Sequence, residues 1–182
     1  NACYNQGKCR VDDDYQTVFS ALIECDRLIF ATPVFFMGVC AQGKLMIDRC
    51  QCLWARRYVL KQPLSAGADG VERRAMIIAV GGSKSRQMFD SISLTMKYFL
   101  DALDMKIASS LYVNQVDAAG DILKVPEAIA EARRLLAPGG QFVVSTPNRD
   151  YYAESRKTAG PNPFHAREFS FGEFQEALAA FF

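Results

Sequence analysis

An α/β layered fold built on a parallel sheet is the architecture this sequence predicts, and three observations carry that prediction. The apolar runs Arg27-Leu28-Ile29-Phe30-Ala31 and Ala75-Met76-Ile77-Ile78-Ala79-Val80 lack polar alternation. They read as strands buried on both faces, as the strands of parallel sheets are. Segments with apolar residues at helical spacing follow and separate them. Turn residues stand directly at the strand ends, Thr32-Pro33 after the first and Gly81-Gly82 after the second. The 182 residues, half of them hydrophobic, suffice for one core with a small appendage.

Taken in order, the polar opening of the chain leads to Asp12-Asp13-Asp14, acids that suit a helix N-terminus. Tyr15, Val18, Phe19 and Leu22 then recur at helical spacing, and Asp26 ends that helix. The strand 27–31 gives way to a loop over 32–38, and Lys44 to about Trp54 reads as helix with Met46, Ile47, Cys50 and Leu53 near one face. Pro63, Gly67 and Gly70 mark 62–73 as loop. After the strand 75–80, the segment 87–103 carries Phe89, Ile92, Met96, Phe99, Leu100 and Leu103 on one stripe. A third strand is predicted over 106–113. Pro126 then opens a helix to about Leu136, with Gly139 just past its end. A fourth short strand is predicted over 141–145, beside either 106–113 or 27–31, and a last helix starts near Phe171 or Gly172.

Charge and composition exclude several classes. Lys and Arg total 21 against 20 acids, a formal net charge of +1, so no general attraction to nucleic acid or acidic membrane is expected. No apolar run approaches the roughly 20 residues of a membrane span, and no secretory leader is visible. A cytoplasmic protein is therefore expected. Its six cysteines (Cys3, Cys9, Cys25, Cys40, Cys50 and Cys52) read as reduced thiols rather than a disulfide framework.

Two strand-end loops carry the chemistry. Thr32-Pro33-Val34-Phe35-Phe36-Met37-Gly38 offers backbone groups for the edge of a flat ring and apolar side chains for its plane, which a flavin isoalloxazine requires. Gly81-Gly82-Ser83-Lys84, at the next strand end, allows close backbone approach and places Lys84 near a negatively charged reduced ring. Each loop taken alone also reads as an ordinary turn, the first with two core phenylalanines. Cys3 and Cys9 lack the tight spacing of a cluster-ligand set, and Cys50 and Cys52 point to different sides of a helix and read as packing thiols. No metal site is expected. Cys40 reads as structural, and His165, the single histidine, has no visible nucleophile beside it. Lys44 and Asp48 form an i,i+4 surface pair. No side chain is assigned a proton-transfer role.

The segment 1–127 resembles the flavodoxin-like NAD(P)H-dependent FMN reductases, especially the branch with the iron–sulfur flavoproteins. The resemblance rests on Cys3 and Cys9 ahead of Asp12-Asp13-Asp14, on Ala31-Thr32-Pro33-Val34-Phe35-Phe36, on Lys44-Leu45-Met46-Ile47-Asp48-Arg49, on Ala79-Val80-Gly81-Gly82, on Phe99-Leu100-Asp101-Ala102-Leu103 and on Gly120-Asp121-Ile122. It implies a three-layer, Rossmann-like parallel sheet, incomplete at the N-terminus, that binds FMN between the loops at 32–38 and 81–84. NAD(P)H is the implied hydride donor and a homodimer the implied assembly. The family's first strand and its Ser/Thr-rich phosphate loop are not found in this sequence, so weakened FMN phosphate binding is expected. From about residue 128 a second resemblance begins. Glu131-Ala132-Arg133-Arg134-Leu135-Leu136-Ala137-Pro138-Gly139-Gly140-Gln141-Phe142-Val143-Val144-Ser145-Thr146-Pro147-Asn148, with Asn162-Pro163-Phe164-His165, Arg167-Glu168-Phe169 and Glu173-Phe174, is similar to the C-terminal part of class I S-adenosylmethionine-dependent methyltransferases. That piece lacks the Gly-rich cofactor loop. The expectation is thus a chimera-like join of an FMN reductase-type domain, 1–127, to a methyltransferase-like C-terminal α/β extension, 128–182. The alternatives are a methyltransferase-related protein, which would bind S-adenosylmethionine, and a non-catalytic remnant or interaction module, which would bind neither cofactor.

Overall fold

The structure is a computed structural model that describes residues 2–62, 64, 70–117, 126–127, 130, 134, 143–144, 170, 172–173 and 176. Its elements are α1 (Ala2–Gln6), α2 (Tyr15–Glu24), β1 (Arg27–Phe35), β2 (Gly38–Val39), α3 (Ala41–Arg49), α4 (Gln51–Tyr58), β3 (Arg74–Gly81), a 3₁₀ turn at Arg86–Phe89, α5 (Asp90–Ala102), β4 (Lys106–Asn114) and β5 (Val143–Val144). The sheet runs β2-β1-β3-β4, with β1, β3 and β4 parallel and β2 antiparallel to β1. β5 also pairs with β1, in parallel, Phe30 with Val143 and Ala31 with Val144. Of the two positions open to the strand 141–145, its described residues take the one beside β1.

The absence of alternation in the two apolar runs has the expected cause. Phe30, Ile77 and Ala79 bury against Leu22, Leu53, Ile92, Met96 and Leu100, while Ile29 and Met76 bury on the opposite face with Ile78 and Leu111 packed against them. Each fully buried aliphatic side chain in this set stabilises the fold by about 1.5–3 kcal/mol relative to exposure. The α5 stripe is the one predicted, since Ile92, Met96, Phe99, Leu100 and Leu103 are all buried. Cys40, Cys50 and Cys52 are buried packing thiols, and all six cysteines are free. Lys44 meets Asp48 at 2.6 Å on the surface of α3. No helix among the described residues is long and apolar enough to cross a membrane.

Several expectations are corrected. β1 does not stop at Ala31 but continues through Phe35, so Thr32-Pro33-Val34-Phe35 are strand rather than loop. Pro33 pairs in register with Val80 of β3, and on the other side it falls between the last residue matched to β5, Ala31, and the first matched to β2, Val34. A residue without an N–H fits such a gap in the pairing. The helix expected over 44–54 is two helices with a break at Cys50. The polar opening contains the short helix α1. The acids before α2 stand where expected, yet Asp14 makes no side-chain capping bond. Asp13 instead pairs with Arg49 at 2.6 Å, which holds its carboxyl below the usual carboxylate range. Ser170 and Glu173 bond reciprocally, a capping box at the start of the last helix. Gly120-Asp121-Ile122, most of the 126–136 helix and the 149–168 segment with His165 lie outside the described residues.

The amino-terminal end of the sheet is closed by a residue that the sequence reading did not single out. Arg73, 2% exposed, donates Nε to the Cys25 carbonyl at 2.9 Å, Nη2 to Leu22 at 2.6 Å and Nη1 to Leu103. Those carbonyls belong to the C-terminal ends of α2 and α5, where unpaired C=O groups and the helix dipole favour a cation. The Arg73 carbonyl accepts Lys106 N at the start of β4, and Asp26 accepts Arg74 N at the start of β1.

Candidate functional site

The carboxyl-terminal end of the sheet holds both predicted loops. The parallel register Pro33 to Val80 sets the end of β1 beside the end of β3. A Cβ added to Gly81 would stand 3.2 Å from the Val34 Cβ and 2.8 Å from the Met88 sulfur, so the glycine is what lets the two strand ends approach. The structure therefore brings the loops together.

Beyond Phe35 the chain reverses through Phe36 and Met37, at φ 46° and 61°, into β2. Positive φ at both central positions is the geometry of a primed hairpin turn, for which Asn-Gly is the usual sequence. Here bulky residues hold it at a cost of about 1–2 kcal/mol each. Two anchors support the turn. Ser91 Oγ, at the start of α5, donates to the Met37 carbonyl. Thr32 Oγ1, buried, donates to the Pro33 carbonyl at 2.8 Å and accepts Cys40 N at 3.1 Å. The hairpin tip is left with Phe35 58%, Phe36 108% and Met37 56% exposed. Core packing does not explain three adjacent exposed apolar side chains. The expectation that both phenylalanines could be ordinary core residues does not hold.

The second loop is exposed at Gly82, Ser83 and Lys84 and is tied to the end of β4. Val116 N donates to the Gly81 carbonyl at 3.2 Å, Gln115 N to Ser83 at 3.3 Å, and Asn114 Nδ2 to Lys84 at 3.0 Å. A Cβ on Gly82 would come 2.9 Å from Asp117 Oδ1. Ser85 caps the 3₁₀ turn by accepting Gln87 N, and behind that turn Phe89 stacks on Tyr112 with centroids 5.0 Å apart. Ser91, Asn114, Asp117 and Tyr112 were not predicted. Each lies on a different element from the loop it supports, and nothing in the local sequence marks it.

Of the predicted residues, Phe35, Phe36, Met37, Gly82, Ser83 and Lys84 face solvent. Gly81 and Thr32 are buried, and Pro33, Val34 and Gly38 form the hairpin base. The arrangement is a rim, with an apolar edge opposite a polar, backbone-rich one. It fits a flat ring better than a compact polar ligand, because uncovered aromatic surface gains most from a planar partner. A separate cavity of about 350 Å³, lined by Asp14, Tyr15, Phe30, Gly43, Met46 and Arg49 among others, contains none of the rim residues.

Comparisons with known proteins bear on the family and the fold. The family profile described as NADPH-dependent FMN reductase matches residues 1–120. A Bacillus subtilis protein named as an NAD(P)H-dependent FMN-containing oxidoreductase is 30% identical over 128 residues, 69% of this chain and 67% of that protein. An iron–sulfur flavoprotein of Methanocaldococcus jannaschii is 30% identical over 100 residues, 55% of this chain and 46% of its own length. The chain thus spans from about half to two thirds of these relatives. The solved structure of the Trp repressor binding protein from Bacillus subtilis superposes with a TM-score of 0.52 at 31% identity, covering 70% of this chain and 73% of that one. A 50-residue stretch, 28% of the chain, is 48% identical to a Mycolicibacterium smegmatis protein named as an S-adenosylmethionine-dependent methyltransferase, of which it covers 19%.

Proposed function

This chain belongs to the NADPH-dependent FMN reductase family, and we propose that it is a flavoprotein oxidoreductase domain whose rim at 32–38 and 81–84 holds the FMN ring. The observation that carries this reading is the juxtaposition of three exposed apolar side chains, Phe35, Phe36 and Met37, with the exposed loop Gly82-Ser83-Lys84. When bound there, FMN supplies acceptance of a hydride from NADH or NADPH.

The chain's own residues position and shield. Phe35, Phe36 and Met37 cover the ring face and exclude water from it. Gly82 and Ser83 let the backbone reach the ring edge, and Lys84 offsets negative charge there. Thr32, Pro33, Val34, Gly38 and Gly81 act indirectly, by fixing where the hairpin tip stands. On this reading 1–127 is the FMN reductase-type domain and 128–182 a methyltransferase-like extension. The protein works in the cytoplasm as a homodimer, with small redox molecules as its partners.

Titration of the chain with FMN and with riboflavin, read by quenching of flavin fluorescence, tests the reading. Because the rim touches the ring and not the phosphate, riboflavin is expected to bind within about tenfold of FMN. Phe36→Asp, at a fully exposed position, is expected to weaken both by about tenfold or more without unfolding the chain. Failure of both flavins to be quenched, or an unchanged affinity in Phe36→Asp, overturns it.

A further inference from the structure

Of the six methionines and six cysteines, Met37 alone is exposed. Met76, Met88, Met96 and Met105 are at most 6% exposed, and Met46 is half-buried against the core. Cys3 and Cys9 are half-buried, and the other four thiols are buried. Met37 is 56% exposed at the tip of the hairpin that joins β1 to β2, and it belongs to neither core cluster.

The main chain fixes that placement. Phe36 and Met37 sit at positive φ, and Ser91 Oγ at the start of α5 donates to the Met37 carbonyl. The anchor grips the backbone and leaves the side chain outside. A thioether carries no proton to lose, so solvent access, not a neighbouring charge, sets how fast a peroxide reaches it. Burial shields the other methionines by the same rule, and oxidation turns a flexible apolar side chain into a polar, chiral one.

We propose that Met37 is a site of reversible oxidation, at which a hydroperoxide converts the thioether to the sulfoxide and so loosens the hold of the rim on a flat ring. The site stands on exposure, and its consequence rests on the flavin reading. The sulfur lone pair attacks one peroxide oxygen. A sulfur–oxygen bond forms and the oxygen–oxygen bond breaks. The departing hydroxide or alkoxide takes up the proton of the transferred oxygen and leaves as water or an alcohol. The sulfur loses an electron pair and the peroxide gains it. In the reverse step a methionine sulfoxide reductase takes an electron pair from a dithiol, which becomes a disulfide, and the oxygen leaves as water. Oxidation removes one member of the apolar edge formed by Phe35, Phe36 and Met37. The Ser91 anchor is to the carbonyl, not to the sulfur, so the hairpin keeps its place and the change is confined to the surface offered to a ligand.

The test treats the folded chain with hydrogen peroxide and then with dithiothreitol, which restores any oxidised thiol to disulfide level but leaves a sulfoxide in place. Peptide mass spectrometry follows each methionine, and fluorescence quenching follows FMN and riboflavin binding. The expected result is gain of one oxygen on Met37 several-fold faster than on any other methionine. Quenching of both flavins weakens several-fold, thermal unfolding is unmoved, and a methionine sulfoxide reductase restores the quenching. Peroxide leaves Met37→Leu at that variant's own starting affinity, and Met37→Gln binds flavin as weakly as the oxidised chain. An oxygen gained elsewhere among the methionines as fast as on Met37 overturns the proposal. So does unchanged quenching by a chain fully oxidised at Met37, or an equal loss of quenching in peroxide-treated Met37→Leu. No quenching before any oxidation overturns the flavin reading instead, and the map of oxygen gain then decides the site by itself.

Discussion

At its amino-terminal end the sheet is closed by Arg73, whose three donors each hold a helix-terminal carbonyl in the dry interior. At its carboxyl end the same strands finish in a hairpin with two non-glycine residues at positive φ and three uncovered apolar side chains. One end engages three buried carbonyls with a single cation, and the other leaves three adjacent apolar side chains uncovered on a strained turn. Both follow from one parallel sheet, because parallel strands put all their starts at one end and all their finishes at the other. The difference teaches where to look for function. Stability concentrates where partners are complete, and binding where they are left open.

The comparison breaks most clearly at its buried end. Arg73→Met removes a cation from between two helix C-termini and strands their carbonyls, and is expected to lower unfolding free energy by about 3 kcal/mol or more in urea titration. Arg73→Lys recovers less than half of that, because one ammonium cannot span three carbonyls. A loss under about 1 kcal/mol in Arg73→Met would remove the contrast between the ends. Next in size is Gly81→Ala. Its methyl meets Met88 and the β-branched Val34, and a cost of about 1–3 kcal/mol is expected in thermal unfolding, together with weaker flavin quenching.

A smaller effect sharpens the contrast because its two readouts move in opposite directions. Replacing Phe36-Met37 by Asn-Gly relieves the positive-φ strain and is expected to stabilise the chain by about 1 kcal/mol while flavin quenching falls. Gain of stability with undiminished quenching would show that the tip is not the ring's neighbour. The smallest effect lies with Glu72, which pairs with Lys106 and Arg74 at the amino-terminal end. Those partners, Lys106 first, hold its carboxyl below the usual carboxylate range. The pairing therefore contributes fully above the ordinary carboxylate range, and the contribution is lost as pH falls through the lowered value. Glu72→Gln is expected to remove that acid sensitivity from an acid-unfolding curve.

Particular residues show how far the sequence is readable. Ile29, Met76 and Ile77 announced strands buried on both faces because a parallel sheet flanked by helices demands such runs. The α5 stripe was legible for the same reason, since burial of one helix face leaves a 3.6-residue period. The hairpin was not. Phe36-Met37 carries none of the Asn or Gly that mark a primed turn, and Pro33 suggested a break where the pairing on the far side of β1 merely has a gap. The rim residues were legible as strand-end chemistry, but their supports were not, because Ser91, Asn114 and Asp117 act across elements.

Local rules were therefore enough for the two apolar strands, the α5 stripe and the diglycine turn, because periodicity and turn chemistry are written in neighbouring residues. Tertiary structure alone decided that Arg73 binds two helix ends, that Val34 of the hairpin stands against Gly81, and that α1 docks on α4. Those three facts join positions far apart in the chain, and the distance between such positions is set by how helices dock on the sheet, which no short window of sequence contains.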